Sequence, residues 1–343
     1  MKRKELDELT EQLVRLETVE GNQKAFEEAF DLIERYLNDF KLERFEKGGK
    51  TSMLVNYQDK PEVLLHGHID VVEADKSQFK PEKSNGRIYG RGAADMKAGV
   101  AALVKTMEDL SSDNVGLLIT SDEELGGFKG TGYFVENFEL PEFVISAEPC
   151  LERFPCIVTE QKGVLQLRLR AEGDEAHAST PQEGVNAAEK LIEKYQGLKA
   201  FFPEGEYTTT LNLSTVDAGS STNKVPGTAE AEVDIRYTEE YTADEVIEDV
   251  ESIQGLEYEV IARAPMMKTS PDNRYVNSLR EAAKDYGEVC VSKENFASDA
   301  RFFTDRGVPA VTIGPSGGNI HGENEYVETR SIFEFAEILK SFL

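Results

Sequence analysis

Four histidines occur in the chain, and two of them share one short run, Leu65-His-Gly-His-Ile-Asp70-Val-Val. The run closes an apolar, strand-like stretch. Either histidine taken alone reads as an ordinary strand-end residue. Asp70, two residues after His68, changes that reading, because a metal-bound imidazole commonly gives its other N–H to a carboxylate. Further on, Gly90-Arg-Gly-Ala-Ala-Asp95-Met-Lys-Ala-Gly99 forms a glycine-rich turn between a short strand and a helix. Its spacing fits neither the Walker loop nor the dinucleotide fingerprint, and Asp95 would repel a phosphate. A metal ligand or a helix cap explains Asp95 better.

The chain supplies more such groups. Ser121-Asp-Glu123-Glu124-Leu-Gly-Gly127 follows an apolar strand, Ser146-Ala-Glu148-Pro149 ends another, and His321 lies in the glycine-rich loop after the last. Adjacent carboxylates suit a metal-assisted hydrolase, in which one binds the ion and its neighbour takes a proton from water. On composition alone, adjacent carboxylates in an acidic chain are more often just a solvated loop. Taken together, His68, Asp95, Glu124, Glu148 and His321 suit two zinc-like ions about 3.5–4 Å apart sharing one carboxylate. Two divalent ions against three carboxylates leave about +1, which favours hydroxide and a developing oxyanion.

The elements that must position these groups are legible from periodicity. Leu6, Leu9, Leu13 and Leu16, then Phe26, Ala29, Phe30, Ile33 and Leu37, recur at helical spacing. Strands are expected at 53–57, 63–65, 115–120 and 143–147, with a helix over 98–110. Alternating strands and helices predict an α/β fold, a helix-covered, mostly parallel sheet, with ligands beyond the carboxyl ends of its strands. From Gly163 the pattern changes: Leu165, Leu167, Leu169 and Ala171 alternate with Gln166, Arg168 and Arg170, as in a strand with one wet face. Residues 162–265 therefore read as an inserted α+β lid, and 1–161 with 266–343 as one discontinuous metal-binding catalytic domain. Length alone favours two domains.

Composition excludes several partners. Asp and Glu number 65 against 38 Lys and Arg, a formal net charge of −27, so nucleic acid and anionic membrane surfaces are poor partners. No stretch has the roughly 18 apolar residues of a membrane helix. The basic N-terminus runs into acidic residues and does not read as a signal peptide. Cys150, Cys156 and Cys290 form no metal spacing and cannot all pair, which suits a cytoplasmic protein. The stretch 239–259 holds nine acidic residues and no basic one, and reads as a solvated outer face of the lid.

As an ordered set the motifs resemble a known family, the dinuclear zinc peptidases and deacylases that include acetylornithine deacetylase, succinyl-diaminopimelate desuccinylase, aminoacylase and the glutamate-releasing carboxypeptidases. The residues carrying the resemblance are His68-Ile-Asp70-Val-Val, Gly90-Arg-Gly-Ala-Ala-Asp95-Met-Lys, Glu123-Glu124-Leu-Gly, Ala147-Glu148-Pro, Ala176-His177 with Pro181, Asn223-Lys-Val-Pro226 and His321. The resemblance implies that His68 and Glu148 bind one zinc, Glu124 and His321 the other, and that Asp95 bridges. It makes Glu123 the general base and Asp70 the residue that orients His68. It also implies a lid whose histidine, here His177, steadies the oxyanion, often from a partner subunit. Arg236 and Asn223 match lid residues that hold substrate, Arg236 through a carboxylate. The backbone N–H groups of 316–319 offer a second carboxylate nest. Ile69, Glu73 and Ala98 depart from the family's usual Thr, Pro and Gly without removing a ligand.

These readings lead to a metal-dependent amidohydrolase that removes an N-acyl group from an amino acid with a free carboxylate. It would use two Zn2+, with Co2+ or Mn2+ as substitutes, and form a homodimer through the lid. A Glu at position 148 resembles the deacylases and carboxypeptidases of the family. The rivals are a carboxypeptidase or dipeptidase acting on short peptides, and a non-catalytic metal or acyl-amino-acid binding protein. Glu123 argues against the last, since a binder has no need of a general base.

Overall fold

The computed structural model describes residues 2–58, 60–110, 114–151 and 153–343. Contacts divide the chain into two compact units. One comprises Met1–Glu160, Met267–Lys293 and Ser298–Leu343, the other Gln161–Met266 with Glu294–Ala297. The short segment Glu294–Ala297 carries no periodic signal that would separate it from the C-terminal return.

Among the described residues, the first unit is built on a nine-stranded mixed sheet. Its centre is parallel, in the order Val115–Thr120, Val63–His68, Phe143–Ser146, Ala310–Thr312. Every residue of these four strands is buried, as expected for parallel strands covered on both faces. The hairpin Leu42–Lys47 and Lys50–Val55 extends one side antiparallel, and Cys156–Gln161 runs antiparallel on the other. The helix Ala98–Asp109 is apolar nearly all round and packs beside Arg3–Val14 and Thr329–Phe342 on one face of the sheet. Thr131–Asn137 and Ala300–Asp305 cover the other face. No described helix is long and apolar enough to cross a membrane.

Two differences from the sequence reading matter. The strand over 63–65 continues to His68, so both histidines belong to it. In addition, Gly317–Gly318, Tyr326–Glu328, Arg87–Tyr89 and Glu82–Ser84 form a small antiparallel sheet. All four of its strands have two or three residues, and only Arg87–Tyr89 is legible as a strand from the sequence.

The second unit is an antiparallel sheet in the order Thr210–Ala218, Thr228–Tyr237, Gly163–Glu172, Glu257–Ala264. Leu165, Leu167, Leu169 and Ala171 are buried with residues of the helices Ala187–Lys199 and Ala243–Ser252. On the opposite face Arg168 pairs with Glu232 and Glu259, each at 2.9 Å, and Arg170 pairs with Glu230. Thr242 and Glu245 close a capping box at the start of the second helix.

Within the first unit the helix Ala98–Asp109 approaches the strand end that carries Glu148 very closely. A Cβ on Gly99 would lie 2.3 Å from the carbonyl oxygen of Ala147, and backbone cannot yield as a flexible side chain does. Gly99→Ala should therefore cost about 1–3 kcal/mol. Urea unfolding checks this, and a midpoint equal to the parent's would refute the close approach.

Candidate metal centre

The parallel strands end in line. His68 is in register with Thr120, and His66 with Ser146. The segments leaving these ends carry Asp70, Glu123 with Glu124, and Glu148, while the segment after Ala310–Thr312 carries His321. Asp95 comes from the turn before the helix Ala98–Asp109 and has non-helical backbone angles.

These side chains converge as two groups that share one residue. In the first, His68, Asp95 and Glu148 bring ligand atoms within 4.8 Å of one another, and in the second Asp95, Glu124 and His321 do so. Asp95 faces both ways: Oδ1 lies 3.2 Å from His68 Nε2 and Oδ2 lies 3.4 Å from His321 Nε2. His321 Nε2 is also 3.1 Å from Glu124 Oε1. His68 Nδ1 donates to the Asp70 carbonyl at 3.0 Å, with Asp70 Oδ1 at 3.4 Å. The other oxygen of Asp70 accepts the Glu124 N–H at 2.9 Å. One residue thus orients an imidazole of the first group through its main-chain carbonyl and the backbone of a carboxylate in the second through its side chain.

The donor set fits divalent cations. Glu148 Oε1 is shielded from solvent and has no hydrogen-bond donor among the described residues, an expensive state for a carboxylate oxygen that faces no ion. Carboxylate and imidazole together are the ligands that zinc and its neighbours take.

Without a cation the cluster binds protons instead. Burial lowers the proton affinity of His68, but hydrogen bonds to Asp70 and Asp95 outweigh it and raise the pKa well above the usual value. Hydrogen bonds to Asp95 and Glu124 raise His321 to about 10. Desolvation, reinforced by neighbouring carboxylates, raises Glu148 to about 8. Desolvation also pushes Glu123 well above the carboxylate range, with Asp299, Glu148 and Asp95 adding to it and His68 opposing.

His66 does not join the cluster. It is fully buried, its Nδ1 is 2.9 Å from Ser146 Oγ and its Nε2 3.0 Å from Thr131 Oγ1, and burial with the nearby His68 lowers it to about 3. His177, Asn223 and Arg236 belong to the second unit. The Ala178 N–H donates to the Asn223 carbonyl at 3.0 Å, which places His177 and Asn223 on neighbouring segments. His177 Nδ1 accepts from the Ser179 N–H at 3.2 Å, so a neutral ring carries its proton on Nε2. Arg236 forms an ion pair with Asp234 on its own strand, Nε to Oδ1 at 2.7 Å. The expected nest at 316–319 is not available as read. The Ser316 N–H donates to Ser331 Oγ at 2.8 Å, the Gly317 N–H is taken by the Cys150 carbonyl, and Gly317 and Gly318 are strand residues.

Sequence reasoning missed the residues beneath the cluster. Asp299, fully buried, accepts from Thr131 Oγ1 at 2.6 Å and lies where any side chain at Gly127 would have to go. Arg301 Nη2 donates to the Gly126 carbonyl at 2.8 Å. Together they brace the turn that follows Glu124. Arg91 and Glu325 are likewise buried and paired, at 2.7 Å. In a chain this acidic, nothing local distinguishes Asp299 or Glu325 from a solvated carboxylate.

Known proteins resemble the chain over most of its length. The profile of peptidase family M20/M25/M40 matches residues 64–343. The succinyl-diaminopimelate desuccinylase of Nitratiruptor sp. is 29% identical over 346 residues, covering 92% of this chain and 94% of that one. Among solved structures, a tripeptidase from Staphylococcus aureus superposes with a TM-score of 0.83 at 21% identity, over 100% of this chain and 98% of its own. An M20 family metallo-carboxypeptidase from Sulfolobus solfataricus gives 0.79 at 19% identity, with the same coverage.

The protonation pattern sets a sign for cation binding. His68, His321 and Glu148 hold protons at neutral pH in the metal-free chain, and a cation must displace them. Apparent affinity for Zn2+ should therefore rise from about pH 6 to pH 9, with protons released on binding. Calorimetry in buffers of different ionisation enthalpy measures the release. Affinity that is flat or falls with pH would contradict it.

Proposed function

The chain belongs to peptidase family M20/M25/M40 and is a metal-dependent amidohydrolase, and on that premise we propose that it removes an N-acyl group from an amino acid bearing a free carboxylate. The observation that carries this reading is the pair of ligand groups sharing Asp95, with Glu123 beside them in sequence and outside both. The desuccinylase relatives support an N-acyl amino acid as substrate.

In this reading His68 and Glu148 would hold one Zn2+ and Glu124 and His321 a second, with Asp95 shared by both; Co2+ or Mn2+ could substitute. Bound there, the cations supply Lewis acidity to an amide carbonyl and lower the pKa of water. Asp70 would fix the His68 ring so that Nε2 is free to take a cation. Glu123 takes the proton of the attacking water and delivers it to the leaving amine as the C–N bond breaks. Desolvation makes Glu123 a stronger base than an exposed glutamate. His177, with its proton on Nε2, donates to the oxyanion. Arg236 and Asn223 receive the substrate carboxylate, which requires Arg236 to exchange its Asp234 partner for the ligand.

The same reading includes a homodimer through the second unit. Thr210–Ala218 is an edge strand with nearly every residue exposed, Leu213 and Val216 among them, and an open edge of this kind is a template for pairing with another chain. Sedimentation should give twice the chain mass, and Val216→Lys should shift the population toward monomer. A parent that sediments as a monomer at micromolar concentration would rule the dimer out.

Glu123→Gln should lower kcat by roughly 10²–10⁴ while the protein still binds two cations per chain. Hydrolysis at the parent rate would remove Glu123 from the mechanism. The substrate class is tested on N-acetylornithine and N-succinyl-diaminopimelate beside a panel of dipeptides. Activity confined to the dipeptides would overturn the deacylase reading in favour of a peptidase.

A further inference from the structure

The turn that carries Asp95 and the loop that carries His321 are more than two hundred residues apart in sequence, and a buried ion pair joins them. Arg91 and Glu325 are 3% and 1% exposed. The Arg91 guanidinium donates from Nη1 to Glu325 Oε2 at 2.7 Å and from Nη2 to the His321 carbonyl at 2.9 Å. The remaining oxygen of Glu325, Oε1, accepts the N–H groups of Ala94 at 3.0 Å and Asp95 at 3.2 Å. The Glu325 carbonyl takes the Gly90 N–H at 3.0 Å. The small sheet holds the two segments in register, with Arg87–Tyr89 antiparallel to Tyr326–Glu328.

An ion pair this deep adds little net stability, because desolvation offsets most of the attraction. What it fixes is geometry. A guanidinium is planar and can direct two N–H groups to two acceptors at once. Here one acceptor is the carboxylate that grips the Asp95 backbone, and the other is the backbone of His321. The second anchor matters because His321 is exposed and adopts φ 62°, a left-handed conformation that a non-glycine residue holds only when its surroundings impose it. His68, by contrast, is fixed by its buried strand and by Asp70.

We propose that Arg91 and Glu325 are positioning residues that set the occupancy of the second cation site, formed by Asp95, Glu124 and His321, by holding the His321 backbone; the first site shares Asp95 but takes His68 from the buried sheet and Glu148 from the segment beyond it, and depends on the clamp less. The inference rests on the two-cation reading above. It assigns the clamp a role in metal loading, separate from any step of hydrolysis.

The test is titration of metal-free protein with Co2+, followed by its visible absorption and by calorimetry. Arg91→Lys keeps a positive charge opposite Glu325 but cannot span both acceptors. The parent should show two binding events. In Arg91→Lys the second should weaken about 10- to 100-fold and the first should stay within about threefold. Glu325→Gln keeps an acceptor for the Ala94 and Asp95 N–H groups without the charge. It should show the same selective loss, so the inference stays testable if Arg91→Lys does not fold. Equal weakening of both events, or of neither, overturns the clamp. A single event in the parent overturns the two-cation reading itself, and the clamp with it.

Discussion

The first unit is organised around a repulsion that it must contain. Asp95, Glu124 and Glu148 bring three carboxylates into one cluster with two imidazoles, and Asp70 and Glu123 lie alongside. Such a cluster persists only if each acid faces a proton or a cation and if the backbone leaves it no room to swing away. Asp95 is the pivot. Its two oxygens face opposite histidines, so displacing that one carboxylate would disturb both groups at once.

The fold meets this demand by removing freedom from the backbone. Parallel strands buried on both faces end together, and the segments leaving them have no choice of register. Asp70 then couples the groups, holding the His68 ring through its main chain and the Glu124 N–H through its carboxylate. Below the Glu123–Gly127 turn, Asp299 and Arg301 fill the space into which the turn could relax. These contacts involve buried polar groups, and their effect is to select one arrangement. The apolar clusters around the sheet supply the bulk of the stability.

The legibility of the sequence follows from this division of labour. Long elements with a strong period were readable: the opening helices, the helix Ala98–Asp109, the strand Val115–Thr120 and the wet-faced strand Gly163–Glu172. The residues that converge in the cluster were readable too, because each is a His, Asp or Glu at the end of a strand or in the loop after it. The small sheet was not, since its two-residue strand Gly317–Gly318 leaves no periodic trace. Nor were Arg91, Asp299, Arg301 and Glu325, whose significance lies wholly in partners remote in the chain. The expected nest at 316–319 is reduced for the same reason: residues remote in the chain, Ser331 and Cys150, take the Ser316 and Gly317 N–H groups.

The same distinction separates two kinds of acidity. In the second unit, the stretch 239–259 that reads as a solvated face is in part paired: Asp244 with Arg263 at 2.8 Å and Glu259 with Arg168 at 2.9 Å. Glu232 and Glu230 likewise pair across the wet side of the sheet with Arg168 and Arg170. Such exposed pairs each contribute little. In the first unit the carboxylates of the cluster are shielded, and among the described residues Asp95 and Glu124 face imidazoles rather than Lys or Arg. On the two-cation reading, loading takes the three ligand carboxylates and two imidazoles from near neutrality, with protons bound, to about +1. A substrate carrying a carboxylate would then meet local attraction within a chain whose overall field repels it. Control of cation occupancy, through residues that never touch the reacting atoms, is therefore also control over which charges the protein can admit.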